Sequence, residues 1–192
     1  MNKRETYPHA PIFLDFMTGK LILYQGGRGN IQKGLDLLIE AFAAEPVVHL
    51  YIDSPIEFEA LSNYKTQLSL SNIHYYEWQS RFPGGMRSIL EKCAFVLHAG
   101  MNSGQSTALL GALYHGLVPV VTRDANLNLG ALEVPMEEAT SSAILAAIRS
   151  AAALSLPEIA NRALLVAAAF RERFSPDAYR NGFRRAIASL VL

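Results

Sequence analysis

Residues 21–42 read LILYQGGRGNIQKGLDLLIEAF, and the pattern of this stretch decides the fold. Residues 21–25 have strand character, and Gly26 and Gly27 break the run. Leu35, Leu38, Ile39 and Phe42 then recur at the spacing of one helix face. A strand, a glycine turn and a helix in this order is how an open parallel sheet offers backbone N–H groups to a phosphate. Arg28 and Lys33 stand beside the turn. Two cations next to a helix N-terminus mark an anion site, and Gly26 and Gly27 let the backbone come close to it.

Working outward, strands and helices keep alternating. Strands are expected over 47–52, 73–78, 94–98 and 118–122, and helices over 55–70, 86–93 and 105–114, the last stopped by Gly116. From residue 137 the pattern is helical only, with helices over 141–153, 157–174 and 176–190; Pro157 and Pro176 suit first-turn positions. The fold class is therefore α/β: a Rossmann-like, doubly wound, mostly parallel sheet with C-terminal helices. Residues 1–20, broken by Pro8, Pro11 and Gly19, read as a linker or lead-in, and 21–192 as one domain. In such a sheet all strand-to-helix loops share the carboxyl edge. Residues 26–33, Ser54, 78–83 and 100–106 should line that rim, where open α/β sheets bind ligands.

Composition narrows the function. Of 192 residues, 17 are Lys or Arg and 17 are Asp or Glu, a formal net charge of +0. A neutral chain without a basic block does not advertise a nucleic-acid partner. Cys93 is the single cysteine, so no intrachain disulfide can form and a reducing, cytoplasmic compartment fits best. No apolar run reaches the roughly 20 residues of a spanning helix. His9, His49, His74, His98 and His115 show no paired ligand spacing, and no metal site is expected. His98 ends a strand at the expected rim and reads as a hydrogen-bonded histidine near the core.

Neither short nucleotide motif is present. GGRGN is not G-x-G-x-x-G, and Lys33 is followed by Gly34 rather than by the Ser or Thr of a P-loop. Ser103, Gly104, Gln105 and Ser106 do not form the G-x-S-x-G of a hydrolase elbow.

Three runs, in this order, resemble a known family: GGRGNIQKGLDLLIEAF, NSGQSTALLGALYHGLVPVV and SPDAYRNGFRRAI. They are similar to the C-terminal, nucleotide-sugar-binding domain of retaining GT-B glycosyltransferases of the family-4 (group 1) type, and the likeness runs from residue 20 to the C-terminus. The resemblance implies that Arg28 and Lys33 neutralise the diphosphate of a UDP- or GDP-sugar donor, with no metal ion. Gly26 and Gly27 would allow close backbone approach. Gly104, Gln105, Ser106 and Thr107 would open the second helix and offer N–H groups and hydroxyls to phosphate or sugar oxygens. Ser103 and Asn102 read either as caps of that helix or as ligand contacts, and Trp78 either as a nucleobase stacker or as a buried strand-end aromatic.

The sequence also departs from the family. Two glutamates with seven residues between them are usual across the second loop and helix; aligned on Gly116 to Pro119, they fall on Ser103 and Gly111. A GT-B active site also lies between two α/β domains, and only one is legible here. The expectation is therefore half of an enzyme, inactive alone, whose partner is an N-terminal acceptor-binding domain. The intact enzyme would transfer a hexose to a saccharide or lipid-linked acceptor in polysaccharide biosynthesis. The alternative is a nucleotide-binding or interaction domain with a degenerate donor site. The tail arginines Arg171, Arg173, Arg180, Arg184 and Arg185 read as a solvated face, as a dock for the missing domain, or as peripheral contact with the inner face of an anionic membrane.

Overall fold

Ile22 and Tyr24 pack into one hydrophobic core, while Leu23 between them packs into another. That alternation puts the strand β1 (Leu21–Gln25) at the centre of a sheet buried on both faces. The computed structural model describes residues 21–25, 29, 31–56, 62–77, 85–100 and 106–190. The other strands are β2 (His49–Asp53), β3 (Ile73–Tyr76), β4 (Phe95–His98), β5 (Val118–Thr122) and β6 (Val134–Met136). All pairings are parallel, and the order is β3-β2-β1-β4-β5-β6. The chain winds outward from β1 to β3, then returns to the other side of β1 with β4. The β1/β4 neighbourhood is thus the topological switch point.

Seven helices surround the sheet among the described residues: α1 (Leu35–Ala43), α2 (Lys65–Leu68), α3 (Gly85–Leu90), α4 (Thr107–Tyr114), α5 (Ser141–Ala152), α6 (Leu156–Phe174) and α7 (Pro176–Leu190). Leu35, Leu38, Ile39 and Phe42 of α1 join Ile144 and Ile148 of α5 over one face, with Leu50, Ile52, Phe95, Leu97, Val118 and Val120. On the other face Ile89, Leu90, Cys93, Leu109, Leu113 and Val166 cover Leu23, Val96 and Val121. Each fully buried branched or aromatic side chain contributes about 1.5–3 kcal/mol relative to exposure.

Polar groups stitch the elements together. Asn72, 2% exposed, donates its side-chain amide to the carbonyls of Phe42, Glu45 and Val48 at 2.8, 3.3 and 3.1 Å, closing the end of α1 onto the start of β2. Ser155 and Glu158 form a capping box that starts α6, with Pro157 in its first turn. Gly116 ends α4 at φ +86°; the N–H of Leu117 reaches the carbonyl of Ala112 and that of Gly116 the carbonyl of Leu113, the double bond of a Schellman stop.

The structure corrects several sequence expectations. The helix expected over 55–70 is interrupted: Pro55 and Ile56 are not helical, and after the helical Ser62 and Asn63 a turn at Tyr64 sets off the short helix that starts at Lys65. A sixth strand, β6, lies in the stretch that had no assignment. It is three residues long with Pro135 in its middle, tolerated because β6 is an edge. The helix expected from residue 105 begins at Thr107. Its N-cap is Ser106, whose Oγ accepts the N–H of Leu109 at 3.1 Å, so Ser103 and Asn102 are not its caps.

Candidate functional site at the switch point

The carboxyl ends of β1 and β4 lie side by side, and each strand is followed by a helix whose N-terminus opens on that rim: α1 after β1, α4 after β4. Both helices therefore direct the positive ends of their backbone dipoles toward the switch point. A one-turn 3-10 segment, Ile31–Lys33, leads into α1. It is built by the Lys33 N–H on the Gly29 carbonyl (3.2 Å) and the Gly34 N–H on the Ile31 carbonyl (2.9 Å).

Gly34 is the N-cap of α1 in the left-handed conformation (φ +73°, ψ +23°), with no side chain to cap with. A Cβ there would lie 3.1 Å from the Cβ of Ala99 and 3.4 Å from its carbonyl oxygen. Ala99 directly follows β4. The absence of a side chain at Gly34 is what lets the α1 entry press against the end of β4, bringing Lys33 to the switch point.

His98, the last residue of β4, is 6% exposed. Burial and then the nearby Lys33 cation hold its imidazole below the usual histidine value, so it is neutral at pH 7. The same coupling shows that Lys33 and His98 share one electrostatic neighbourhood. Asp53 and Ser54, at the carboxyl end of β2, are fully buried. Asp36 lies in the first turn of α1; one of its carboxylate oxygens is buried without a hydrogen-bond partner. Its charge favours the helix N-terminus and opposes an anion there. Thr122, at the carboxyl end of β5, is 5% exposed with an unpartnered hydroxyl.

Of the residues singled out from sequence, Lys33, Ser106 and Thr107 lie on this rim: Lys33 half-buried before α1, Ser106 capping α4, and Thr107 exposed in its first turn. Gly26, Gly27, Arg28, Trp78, Ser103, Gly104 and Gln105 lie outside the described residues. Sequence reasoning passed over Gly34 and Ala99. A glycine directly before an amphipathic helix, where a capping Ser or Asp is usual, was the available signal for Gly34.

It also missed a histidine pair. His49 Nδ1 and His74 Nε2, on β2 and β3, are 2.9 Å apart, with ring planes only 9° from parallel. Tyr51 and Tyr76 continue this row of rings, and Lys92 lies over Tyr76. Among the described residues no group of three or more His, Cys, Asp or Glu side chains is placed to hold a metal ion.

The sequence matches no protein-family model and no curated protein. Solved structures do match in three dimensions. The C-terminal domain of a glycosyl transferase group 1 family protein (LpcC) from Francisella tularensis superposes with a TM-score of 0.66 at 14% identity, covering 82% of this chain and 88% of that one. HepE of Anabaena, in complex with UDP and glucose, gives 0.71 at 15% identity, covering 92% of this chain and 50% of HepE. The catalytic domain of cholesterol-α-glucosyltransferase from Helicobacter pylori gives 0.56 at 18% identity, covering 79% and 98%.

The fold is that of a GT-B C-terminal domain. At these identities the likeness is one of architecture. This chain spans about half the length of HepE. In the GT-B C-terminal architecture as this chain builds it, the switch point is framed by Gly34, Lys33, His98 and the Ser106-capped helix.

Proposed function

We propose that this domain binds a nucleoside diphosphate sugar at the β1/β4 switch point and serves as the donor half of a glycosyltransferase. The observation that carries the reading is the Gly34–Ala99 contact, because it gathers Lys33 and two helix N-termini around one spot on the sheet edge. A diphosphate matches that spot: it is anionic, and its oxygens accept from N–H groups, the Ser106 hydroxyl and ammonium. UDP and UDP-glucose, with which HepE has been solved, are the first ligands to try, and GDP-sugars the second.

In the transfer step the bond between the sugar C1 and the diphosphate oxygen breaks, and negative charge grows on the leaving diphosphate. Lys33 and Arg28 stabilise that charge in the role a divalent cation plays elsewhere, assisted by the α4 N-terminus. The resemblance favours a hexose donor and retention of anomeric configuration. A second α/β domain, on this polypeptide or another, supplies a saccharide or lipid-linked acceptor at the cytoplasmic face of the membrane.

A second reading keeps the fold and the nucleotide but not the transfer. It is favoured by Gly111, an exposed position on α4 with nothing within 4 Å of where a Cβ would stand, at which the family pattern carries an acid. Calorimetric titration with UDP, GDP and their sugars tests both. Lys33→Ala and Arg28→Ala should each weaken diphosphate binding about 10- to 100-fold, or about 1.4–2.8 kcal/mol, and leave the melting temperature unchanged. Binding without donor hydrolysis or transfer in the presence of the second domain supports the binding-module reading. Absence of affinity for every nucleotide removes the donor-site reading.

A further inference from the structure

β3 is an edge strand, and its backbone pairs with β2 over Ile73 to Tyr76. Ile73 and Tyr75 pack into the core under α1. His74 and Tyr76 therefore lie on the other face, beside His49 and Tyr51 of β2, and all four are half-buried. His49 Nδ1 and His74 Nε2 are 2.9 Å apart. The ring centroids, 5.2 Å apart, are as far from each other as that gap allows, so both nitrogens lie on the line between the ring centres. With planes only 9° from parallel, the two imidazoles meet edge to edge. That is the geometry of an in-line N–H···N hydrogen bond. Two lone pairs holding an ion would converge on a third point instead. The bond ties the first residue of β2 to the second of β3.

Such a bond needs one of the facing nitrogens protonated and the other bare. A first added proton goes to the outer nitrogen of the donor ring and leaves a charge-assisted bond in place. A second finds only the acceptor's facing nitrogen, so two N–H groups and two like charges are then set against each other. The surroundings decide which ring is the acceptor. The rings run in the order His49, His74, Tyr51, Tyr76, and the Lys92 ammonium lies 5.8 Å from the centre of the Tyr76 ring. His49 is thus the imidazole farther from that cation, and positive charge settles there. The groups that face the pair are Tyr51 from β2, Tyr76 from β3, and Lys92 and Cys93 from the turn after α3; Asp53, on the same side, stands at the other end of β2. No carboxylate among the described residues pairs with either imidazole. Burial, then coupling to His49 and Lys92, holds His74 below the ordinary histidine value.

We infer that His49 and His74 form a proton-operated latch on the edge of the sheet: His49 Nδ1–H donates to His74 Nε2, and protonation of that acceptor nitrogen in acid releases β3 from β2. This inference is independent of the donor site. The test is native-state hydrogen exchange of the full chain from pH 7.5 down to 5, with nitrogen-15 NMR of the imidazoles to read the tautomers. At neutral pH His74 should carry its proton on Nδ1, with Nε2 bare. Protection of the amides of Ile73 to Tyr76 should be full above about pH 6.5 and lost as pH falls through the lowered value of His74. It should fall at least about tenfold further than protection in β1 and β4. His74→Gln, whose amide oxygen accepts from His49 without titrating, should remove that extra loss. His49→Phe, which keeps a ring but takes away the donor, should lower β3 protection already at pH 7.5. A bare Nδ1 on His74 at neutral pH, β3 protection that follows β1 and β4 throughout, or an extra loss undiminished in His74→Gln overturns the inference. A chain that behaves as expected here but binds no nucleotide fails only the donor site.

Discussion

Gly34 and Ala99 touch across the switch point: a Cβ on Gly34 would stand 3.1 Å from the Cβ of Ala99, in a backbone conformation (φ +73°) that side chains rarely adopt. One residue opens the helix after β1 and the other closes β4. Their contact joins two loops that are far apart in the chain, and Lys33 is carried with it. A small residue is required on both sides for that approach.

Gly34→Ala should therefore destabilise the domain by about 1–3 kcal/mol, part from the left-handed backbone and part from displacement of Ala99. Urea denaturation gives the midpoint, and the same protein should bind nucleoside diphosphate more weakly. A variant as stable as the parent would show that the contact does not constrain the rim.

Two glycines of the α4 region should respond in opposite directions. Gly111 is helical and faces open space, so Gly111→Ala should stabilise by about 0.5–1 kcal/mol. Gly116 has φ +86°, and a Cβ there would lie 3.0 Å from the Ala163 carbonyl oxygen on α6. Gly116→Ala should cost more than about 1 kcal/mol. Thermal melts of the pair decide this, and equal shifts would contradict the packing of α4 on α6.

Acid should weaken the fold through its histidines. His74, His98 and His115 are each held below the ordinary value of 6.5, first by burial, then by electrostatic coupling to His49 and Lys92 for His74, to Lys33 for His98 and to Arg87 for His115. A depressed folded-state value means that the unfolded chain takes up the proton first. Their contribution to stability is therefore complete above about pH 6.5 and is lost as pH falls through the lower folded values. Urea midpoints measured from pH 7.5 down to 5 should fall, and His74→Gln, at a half-exposed position, should make the slope shallower. A flat profile would mean that these imidazoles are as easily protonated in the folded chain as in the unfolded one.

Cys93 offers a probe of unfolding. It is fully buried, and burial pushes its thiol up to about 12, so almost no thiolate exists at neutral pH. A thiol reagent should leave the native protein untouched for hours and label it at the rate of global opening in urea. Fast labelling of the native chain would place a local opening between α3 and β4.

How much was legible beforehand differs from element to element. β1, β4 and β5 read as strands because they are short apolar runs bounded by turn residues, and α1, α5, α6 and α7 because their faces repeat at helical spacing. Lys33 was legible as a rim cation because strand, turn and helix are contiguous. β6 was not, since three residues around Pro135 carry no period and earn their hydrogen bonds only from Val120 to Thr122 alongside. The cap of α4 was misjudged because Ser103 and Ser106 are equally good caps, and the start of the helix is settled by where Leu109 and Leu113 must reach the core.

The sequence alone determined the α/β class, the Gly116 stop and the two cations beside the first turn, since each rests on neighbours within a few residues. Only the tertiary structure decided the strand order, the meeting of Gly34 with Ala99 and the pairing of His49 with His74. Those depend on which surfaces remain once every buried backbone group has a partner and both faces of the sheet are covered. That balance is struck over the whole chain, so no local spacing records it.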